Sequence, residues 1–448
     1  MNPKSYDHRQ TVTFYILGGA GDLVRRLLIP GMAGYLREYE GTRINIVGSG
    51  RSEIDDYPQL VRDSLAESDT EVDDAVVDSL AEHASYLVAD ATDPADLQKL
   101  LDSREPGDRA VLYFALSPSV TAQAVDALAR VTLPEGIVLA MEKPFGEDAD
   151  TARELNEKLW KITDEEHIFR IDHFNCETAL SNLVGLMGAN AIFSAGWNKE
   201  AIEKIEIIYD ESLGLEGRAE FYDSNGAARD MLQSHLLQVM AHALAAGTDD
   251  TVIDILAATD IEPDSIRRAR YTEGEAGGER MPDYVQEEGV DPERGTETLF
   301  QVTAWVDTDR WSGVPVTLRS GKALGKPRKE IAISYRRQGF LEETQLQPGS
   351  RLLFPFTDEV VLEANVSDHG YNHNLQRVNL RTELVPSQLT AYGRVVRAIL
   401  DLSEAAEVPA DAPGRTWEIV EPVLAAFEND DVLLEEYPAG SEGPEGWI

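Results

Sequence analysis

The stretch "YILGGAGDLVRRLLIP", residues 15 to 30, constrains the fold more than any other part of the chain. An apolar, β-prone run ends in Gly18, Gly19 and Gly21, and a helical pattern of apolar residues starts directly behind them. Glycines at such a turn let the backbone approach a pyrophosphate, and the first turn of the helix offers unpaired N–H groups to its charge. A plain strand-to-helix turn uses the same residues for packing, so the motif takes its meaning from its setting. That setting is a series of β-branched apolar runs with helical patterns between several of them: "RINIVGSG" (43–50), "SYLVAD" (85–90), "AVLYFAL" (110–116) and "GIVLAMEKPFG" (136–146). Continuous apolar strands alternating with helices predict a parallel α/β sheet. "DADTARELNEKLWKIT" predicts an amphipathic helix capped by Asp148 or Asp150, and "IFRIDHF" (168–174) a further strand.

Beyond about residue 175 the pattern changes. "KIEIIYDES", "GRAEFYDS", "TETLFQVTAWVDT", "PVTLRSGK", "KEIAISYRR" and "EVVLEANV" read as strands with few helices between them, which predicts a mainly antiparallel sheet in an α+β domain. Residues 272–297, rich in Gly and Glu, read as a surface loop. The expected organisation is therefore a Rossmann-type dinucleotide-binding domain over residues 1–175 and a larger, mainly antiparallel domain over 176–448. At 448 residues the chain is long enough for two cores.

After the second strand comes Arg51, where an acidic residue would select the ribose hydroxyls of NAD; a cation there favours the 2′-phosphate of NADP, or is a solvated loop charge. Elsewhere cations are scarce. The formal net charge is −41, from 81 acidic and 40 basic residues, which argues against nucleic acid or an anionic membrane as partner. Anionic ligands must be held by a few placed cations. Cys176 is the only cysteine, so intrachain disulfides are excluded and a cytoplasmic location is expected. No apolar run approaches the ~18 residues of a membrane span, and no metal site is expected.

Several further segments together resemble the glucose-6-phosphate dehydrogenase family. "GGAGDLVRRLLIP", which includes Asp22 and Leu23, is similar to the family's G-A-S-G-D-L-A-K-R-K-L-x-P, and "MEKPFG" contains its E-K-P-F-G unchanged. "RIDHF" resembles R-I-D-H-Y, "NGAARDMLQSHLLQ" resembles G-A-L-R-D-M-x-Q-N-H-L-x-Q, and "TETLF" through "RWSGVPVTLRSGKAL" and the tail "YPAGSEGP" follow in family order. The resemblance implies oxidation of a hexose at its C1 hemiacetal to a lactone, with NADP, or NAD, as hydride acceptor, in a homodimer. It implies that His235 is the base that removes the C1 hydroxyl proton and that Asp172 orients and charges it. Read from its neighbours alone, His235 lies on an apolar helical face and is a core histidine. Lys143 matches a lysine that contacts both sugar and nicotinamide, and Glu211 and Asp230 match acceptors of sugar hydroxyls; each could equally be a solvated loop charge.

The resemblance breaks at the phosphate. His173 and Asn182 match, yet the phosphate-contacting tyrosine is Phe174 and the lysine is Glu177. Lys322 is kept, while the basic position five residues later is Pro327; Lys326 beside it would point elsewhere on a strand. "RLLFPFTDE" replaces L-x-x-R-I-Q-P-D-E. A carboxylate near a phosphate dianion is repulsive, so the expected substrate is a non-phosphorylated or amino sugar whose C6 substituent Glu177 binds. A genuine glucose-6-phosphate dehydrogenase with a rebuilt phosphate site is the alternative. Two further readings are an enzyme of the glucose-fructose oxidoreductase type, which lacks the G-D-L after the glycines, and a catalytically silent nucleotide- or sugar-binding regulatory protein. Retention of Asp172, His235 and Lys143 counts against the silent protein.

Overall fold

Six of the seven residues of β1 (Thr11–Leu17) are buried, as its unbroken apolar run requires of a strand covered on both faces. The computed structural model of the chain describes residues 11–39, 41–103, 108–215, 217–337, 348–367, 375–384, 389–403 and 407–448. With β2 (Arg43–Gly50), β3 (Ala84–Val88), β4 (Arg109–Phe114), β5 (Val138–Glu142) and β6 (Ile168–Ile171) it forms a wholly parallel sheet in the order β3-β2-β1-β4-β5-β6. The strand order reverses beside β1, which places the glycine turn at the crevice where open α/β sheets receive ligands. Behind the glycines the helix begins as a π-turn, Val24–Leu28, and continues as Ile29–Glu38. The helix Ala149–Leu159 carries the expected Asp148 cap, completed as a capping box by Thr151.

The chain divides into two units, Met1–Cys176 with Ser387–Gly414, and Glu177–Pro386 with Arg415–Ile448. The single boundary expected at 175/176 therefore needs correction, because a late segment returns to the first unit. The physical reason is the helix Ala391–Asp401, whose Tyr392, Val395, Val396, Ile399 and Leu400 are buried in the core shared by β1, β2, β4 and β5. It packs on the helix Ile29–Glu38, where a Cβ at Gly31 would lie 2.8 Å from the Tyr392 backbone. Arg109 of β4 donates to the last carbonyls of the returning helix, at Ile399 and Leu400.

In the second unit the strands are β7 (Ile202–Asp210), β8 (Thr259–Ile261), β9 (Arg267–Thr272), β10 (Gly274–Ala276), β11 (Glu279–Met281), β12 (Leu299–Val306), β13 (Val316–Gly321), β14 (Lys329–Tyr335), β15 (Arg351–Pro355), β16 (Glu359–Ser367), β17 (Leu375–Glu383) and β18 (Leu434–Pro438). Ten of them form one sheet among the described residues, in the order β17-β16-β15-β14-β7-β13-β12-β9-β18 with β8 alongside β12. Its pairs are antiparallel except β7 with β13 and β9 with β18.

Two local expectations fail. "GRAEFYDS" is not a strand; from Ala219 onward it lies in the helix Ala219–Ala227, whose buried residues Ala219, Tyr222 and Asp223 follow a 3.6-residue period. A short mixed run fits either period, and burial decided for the helix. Residues 272–297 are not a plain surface loop. They contain the β10–β11 hairpin, turned by Gly277 and Gly278 at φ +61° and +84°, and two 3₁₀ turns, with Tyr284 only 1% exposed. Tyr284 donates to Asp223 Oδ1 at 2.7 Å, which ties this segment to the helix Ala219–Ala227. The second unit also holds more helix than expected, including Thr178–Ala189, Ala412–Glu428 in its later part, and a run from Ala219 to Ala245 kinked at Gly226 (φ +71°).

Candidate active site

In the first unit the glycine turn is sewn to the ends of β1 and β2. Gly18 (φ +82°) and Gly19 both donate their N–H to Ser49 O at 2.9 Å, and Gly21 donates to Gly18 O at 2.9 Å. Tyr57 OH donates to Gly19 O at 2.8 Å. A Cβ on Gly19 would lie 2.6 Å from Gly48 Cα, so the two strand ends can meet only with glycine there. Asp22 is exposed 3.6 Å from Arg26, and Leu23 packs against the core below. Arg51 is exposed just past β2 and lies within the field of Asp90. The Thr92 N–H and hydroxyl, at 2.9 and 2.7 Å, hold the Asp90 carboxyl below its ordinary range, and the Arg51 charge adds to this. The crevice is thus built for a dinucleotide: glycine backbone at the head of a helix, and a cation at the end of the second strand.

At the C-terminal ends of β5 and β6 the same unit gathers Glu142, Lys143, Asp172 and His173. Lys143 is half-buried and joined to Pro144 by a cis peptide bond. Asp172 is 1% exposed and accepts the Phe174 N–H at 3.0 Å, which fixes the 3₁₀ turn His173–Cys176. The His173 ring lies 5.1 Å from that of Phe174 and 5.3 Å from that of Tyr392. Glu142 accepts hydrogen bonds from Tyr113 OH and, at 3.1 Å, from Tyr392 OH. Burial pushes the Glu142 carboxyl up to about 7; the two phenols and Lys143 act against this, and Asp172 adds to it.

In the second unit the residues expected to contact the sugar gather around the ends of β7 and β13. Lys322 Nζ is 2.8 Å from Glu211 and lies over the Tyr222 ring at 5.4 Å. Tyr222 is in turn within the field of Asp230, so Glu211, Lys322 and Asp230 line one neighbourhood. Lys329 Nζ is 3.7 Å from Glu211 and 4.2 Å from the centre of the Tyr209 ring. Burial raises the Tyr209 hydroxyl above the ordinary phenol range, and the charges of Glu211 and Glu177 add to it. Glu177 therefore belongs to this group as the residue before the helix Thr178–Ala189, while Asn182 is partly buried on that helix. Lys329 lies two residues beyond Pro327, whereas Lys326 is exposed and paired with Glu442 at 2.5 Å.

His235 is 3% exposed and sits in a π-helical stretch, Ala228–Leu236. Such stretches are uncommon and frequent at functional sites. The first turn is capped by Glu297, whose Oε1 accepts the Ala228 N–H at 2.9 Å; burial pushes the Glu297 carboxyl up. Glu142, Tyr392, Lys329 and Glu297 went unrecognised in the sequence. Glu142 and Glu297 could have been found as the acidic members of the matched segments "MEKPFG" and "TETLF"; for Lys329 and Tyr392 the sequence carries no local signal.

Comparison with known proteins decides the family. The glucose-6-phosphate dehydrogenase NAD-binding domain matches residues 15–182, and the C-terminal domain of the same enzyme matches residues 185–447. The chain belongs to the glucose-6-phosphate dehydrogenase family. It is 31% identical to the glucose-6-phosphate 1-dehydrogenase of Gluconobacter oxydans over 96% of this chain and 94% of that one. It is also 31% identical to the enzyme of Mycolicibacterium smegmatis, with the same coverage. The solved structure of a glucose-6-phosphate dehydrogenase in complex with glucose-6-phosphate superposes with a TM-score of 0.86 at 26% identity, covering 98% of this chain and 96% of that one. The chain is thus an oxidoreductase of this family with an NAD(P)-binding domain. Among the described residues no helix is long and apolar enough to cross a membrane.

Proposed function

We propose that this member is a genuine glucose-6-phosphate dehydrogenase with a rebuilt phosphate site, rather than a dehydrogenase of free or amino sugars. The observation that carries this reading is Lys329. Together with Lys322 it places two ammonium groups 2.8 and 3.7 Å from Glu211, and Lys329 also lies 4.2 Å from the centre of the Tyr209 ring, whose hydroxyl is within the field of Glu177. Lys322 and Lys329 offset the charges of Glu211 and Glu177 around Tyr209, so Glu177 does not by itself make this neighbourhood repel a phosphate, and Lys329 supplies a cation in place of the one lost at Pro327. The similarity to phosphate-sugar enzymes along 96% of the chain supports the same reading.

In the proposed reaction His235 takes the proton of the C1 hydroxyl while the hydride on C1 leaves, and the C1–O bond becomes the lactone carbonyl. When bound, the dinucleotide, held by the glycine turn at Gly18, Gly19 and Gly21 and by Arg51, would supply the hydride acceptor. Asp172 orients the imidazole and balances its positive charge, which a neutral partner could not do. Glu211 and Asp230 accept hydrogen bonds from sugar hydroxyls, with Lys143, His173 and Asn182 completing the sugar contacts. Arg51 supports NADP over NAD. A cytoplasmic homodimer is expected by family likeness, and light scattering on the purified chain tests the dimer.

Steady-state kinetics with glucose-6-phosphate, glucose and glucosamine test the substrate. A kcat/KM for glucose-6-phosphate roughly 100-fold above the others is expected, equivalent to about 2.7 kcal/mol. Lys329→Ala should raise the KM for glucose-6-phosphate roughly tenfold and leave glucose unaffected. Preference for glucose or glucosamine would return Glu177 to the role of a C6 hydroxyl or amine acceptor.

A further inference from the structure

The reading above uses Lys143, Asp172 and His173 from the first unit but leaves the buried acid beside them, Glu142, unexplained. Glu142 ends β5, is 8% exposed, and accepts two phenol hydrogen bonds on one oxygen. One phenol, Tyr113, belongs to β4; the other, Tyr392, belongs to the helix Ala391–Asp401, more than 200 residues later in the chain. The charged groups that act on the carboxylate are Lys143 and Asp172. Tyr392 continues the chain of contact: its ring packs on His173 at 5.3 Å with the planes 33° apart, and Phe174 closes the other side edge-on at 5.1 Å and 65°.

We propose that Glu142 is a positioning residue for the sugar site: its carboxylate anchors Tyr392, the Tyr392 ring sets the His173 imidazole, and loss of the Glu142 charge loosens that imidazole. This inference rests on the reading of His173 as a substrate residue. A hydrogen bond to an ionised acceptor is about twice as strong as one to a neutral acceptor, so the anchor weakens when the carboxyl takes up a proton. Burial places that protonation near neutrality, at about 7. A carboxamide at position 142 would keep an acceptor for both phenols, so what the carboxylate adds is charge. Perturbed acids in such surroundings are characteristic of functional sites.

The test is a double-mutant cycle with a pH axis. Glu142→Gln and Tyr392→Phe should each raise the KM for glucose-6-phosphate at pH 8 by roughly fivefold, with kcat less affected and the dissociation constant for NADP unchanged. The double variant should be no worse than either single one, because both cut the same path. Toward pH 6 the wild-type KM should approach that of Glu142→Gln. Multiplying effects, or a wild-type to Gln ratio independent of pH, would overturn the proposal. A second readout needs no activity. Infrared difference titration of wild type should show a protonated-carboxyl band that disappears as pH rises through neutrality and is missing in Glu142→Gln. In Tyr392→Phe its midpoint should move up by roughly half a pH unit, since a donor to the charged form has been removed. An unmoved midpoint refutes the coupling of Glu142 to Tyr392. Wild type that does not oxidise glucose-6-phosphate refutes the functional reading instead, and the infrared arm still decides the coupling.

Discussion

Replacing Glu142 by Gln should stabilise the first unit, and more so in alkali than in acid. The side chain is 8% exposed, and burial lifts its carboxyl from the ordinary 4.5 to about 7. A carboxyl raised in the folded state binds its proton more tightly there than in the unfolded chain. Its contribution to stability is thus fully present below pH 4.5 and lost as pH rises through 7. At ~1.4 kcal/mol per pH unit, the rise corresponds to a loss of about 3 kcal/mol on the alkaline side, of which less than about 1 kcal/mol is already lost at pH 5. Gln keeps an acceptor for Tyr113 and Tyr392 but has no charge to desolvate. The difference in unfolding free energy between Glu142→Gln and wild type should therefore be larger at pH 8 than at pH 5, by about 2.5 kcal/mol. Cys176 provides the assay, since it is the only cysteine and is 4% exposed in the core of this unit. Its accessibility to a thiol reagent along a urea titration reports opening of the first unit, and comparing the two proteins at one pH cancels the ionisation of the thiol itself. An equal difference at both pH values would show that native Glu142 holds no proton near neutrality. A difference of opposite sign would show that its charge stabilises the fold.

Three further outcomes follow from the site. Gly19→Ala should abolish dinucleotide binding measured by fluorescence, because a Cβ 2.6 Å from Gly48 Cα forces the ends of β1 and β2 apart; retained affinity would place the cofactor elsewhere. Arg51→Ala should lower the NADP/NAD affinity ratio by roughly tenfold or more, the scale of one lost charged hydrogen bond, and an unchanged ratio removes Arg51 from the site. His235→Asn should bind cofactor normally and lose the chemical step by roughly 10² to 10⁴; near-wild-type turnover would leave His235, 3% exposed, as core filler.

The strands of the parallel sheet in the first unit could be read from the sequence, because strands covered on both faces must be mostly apolar, as β1 and β5 are apart from the threonines of β1 and Glu142 at the end of β5. The glycine turn was equally legible: its chemistry is local, a backbone requirement at Gly18 and Gly19 that few other residues meet. Periodicity reports how a segment is buried, however, and not against what. The helix Ala391–Asp401 is amphipathic in sequence, yet only packing against Gly31 brings it back into the first unit and sets Tyr392 on Glu142. The helix Ala219–Ala227 was mistaken for a strand because eight mixed residues fit either period until a core selects one. The phosphate question had the same limit. The exchange of lysine for Glu177 was visible as a single letter, but an electrostatic field is summed through space, and Lys329 enters that sum by lying 3.7 Å from Glu211 across two strands. Sequence alone determined the residue types and the glycine turn of this protein; the three-dimensional fold decided which period an ambiguous segment adopts and which charges face one another, since both depend on packing and distances no linear spacing encodes.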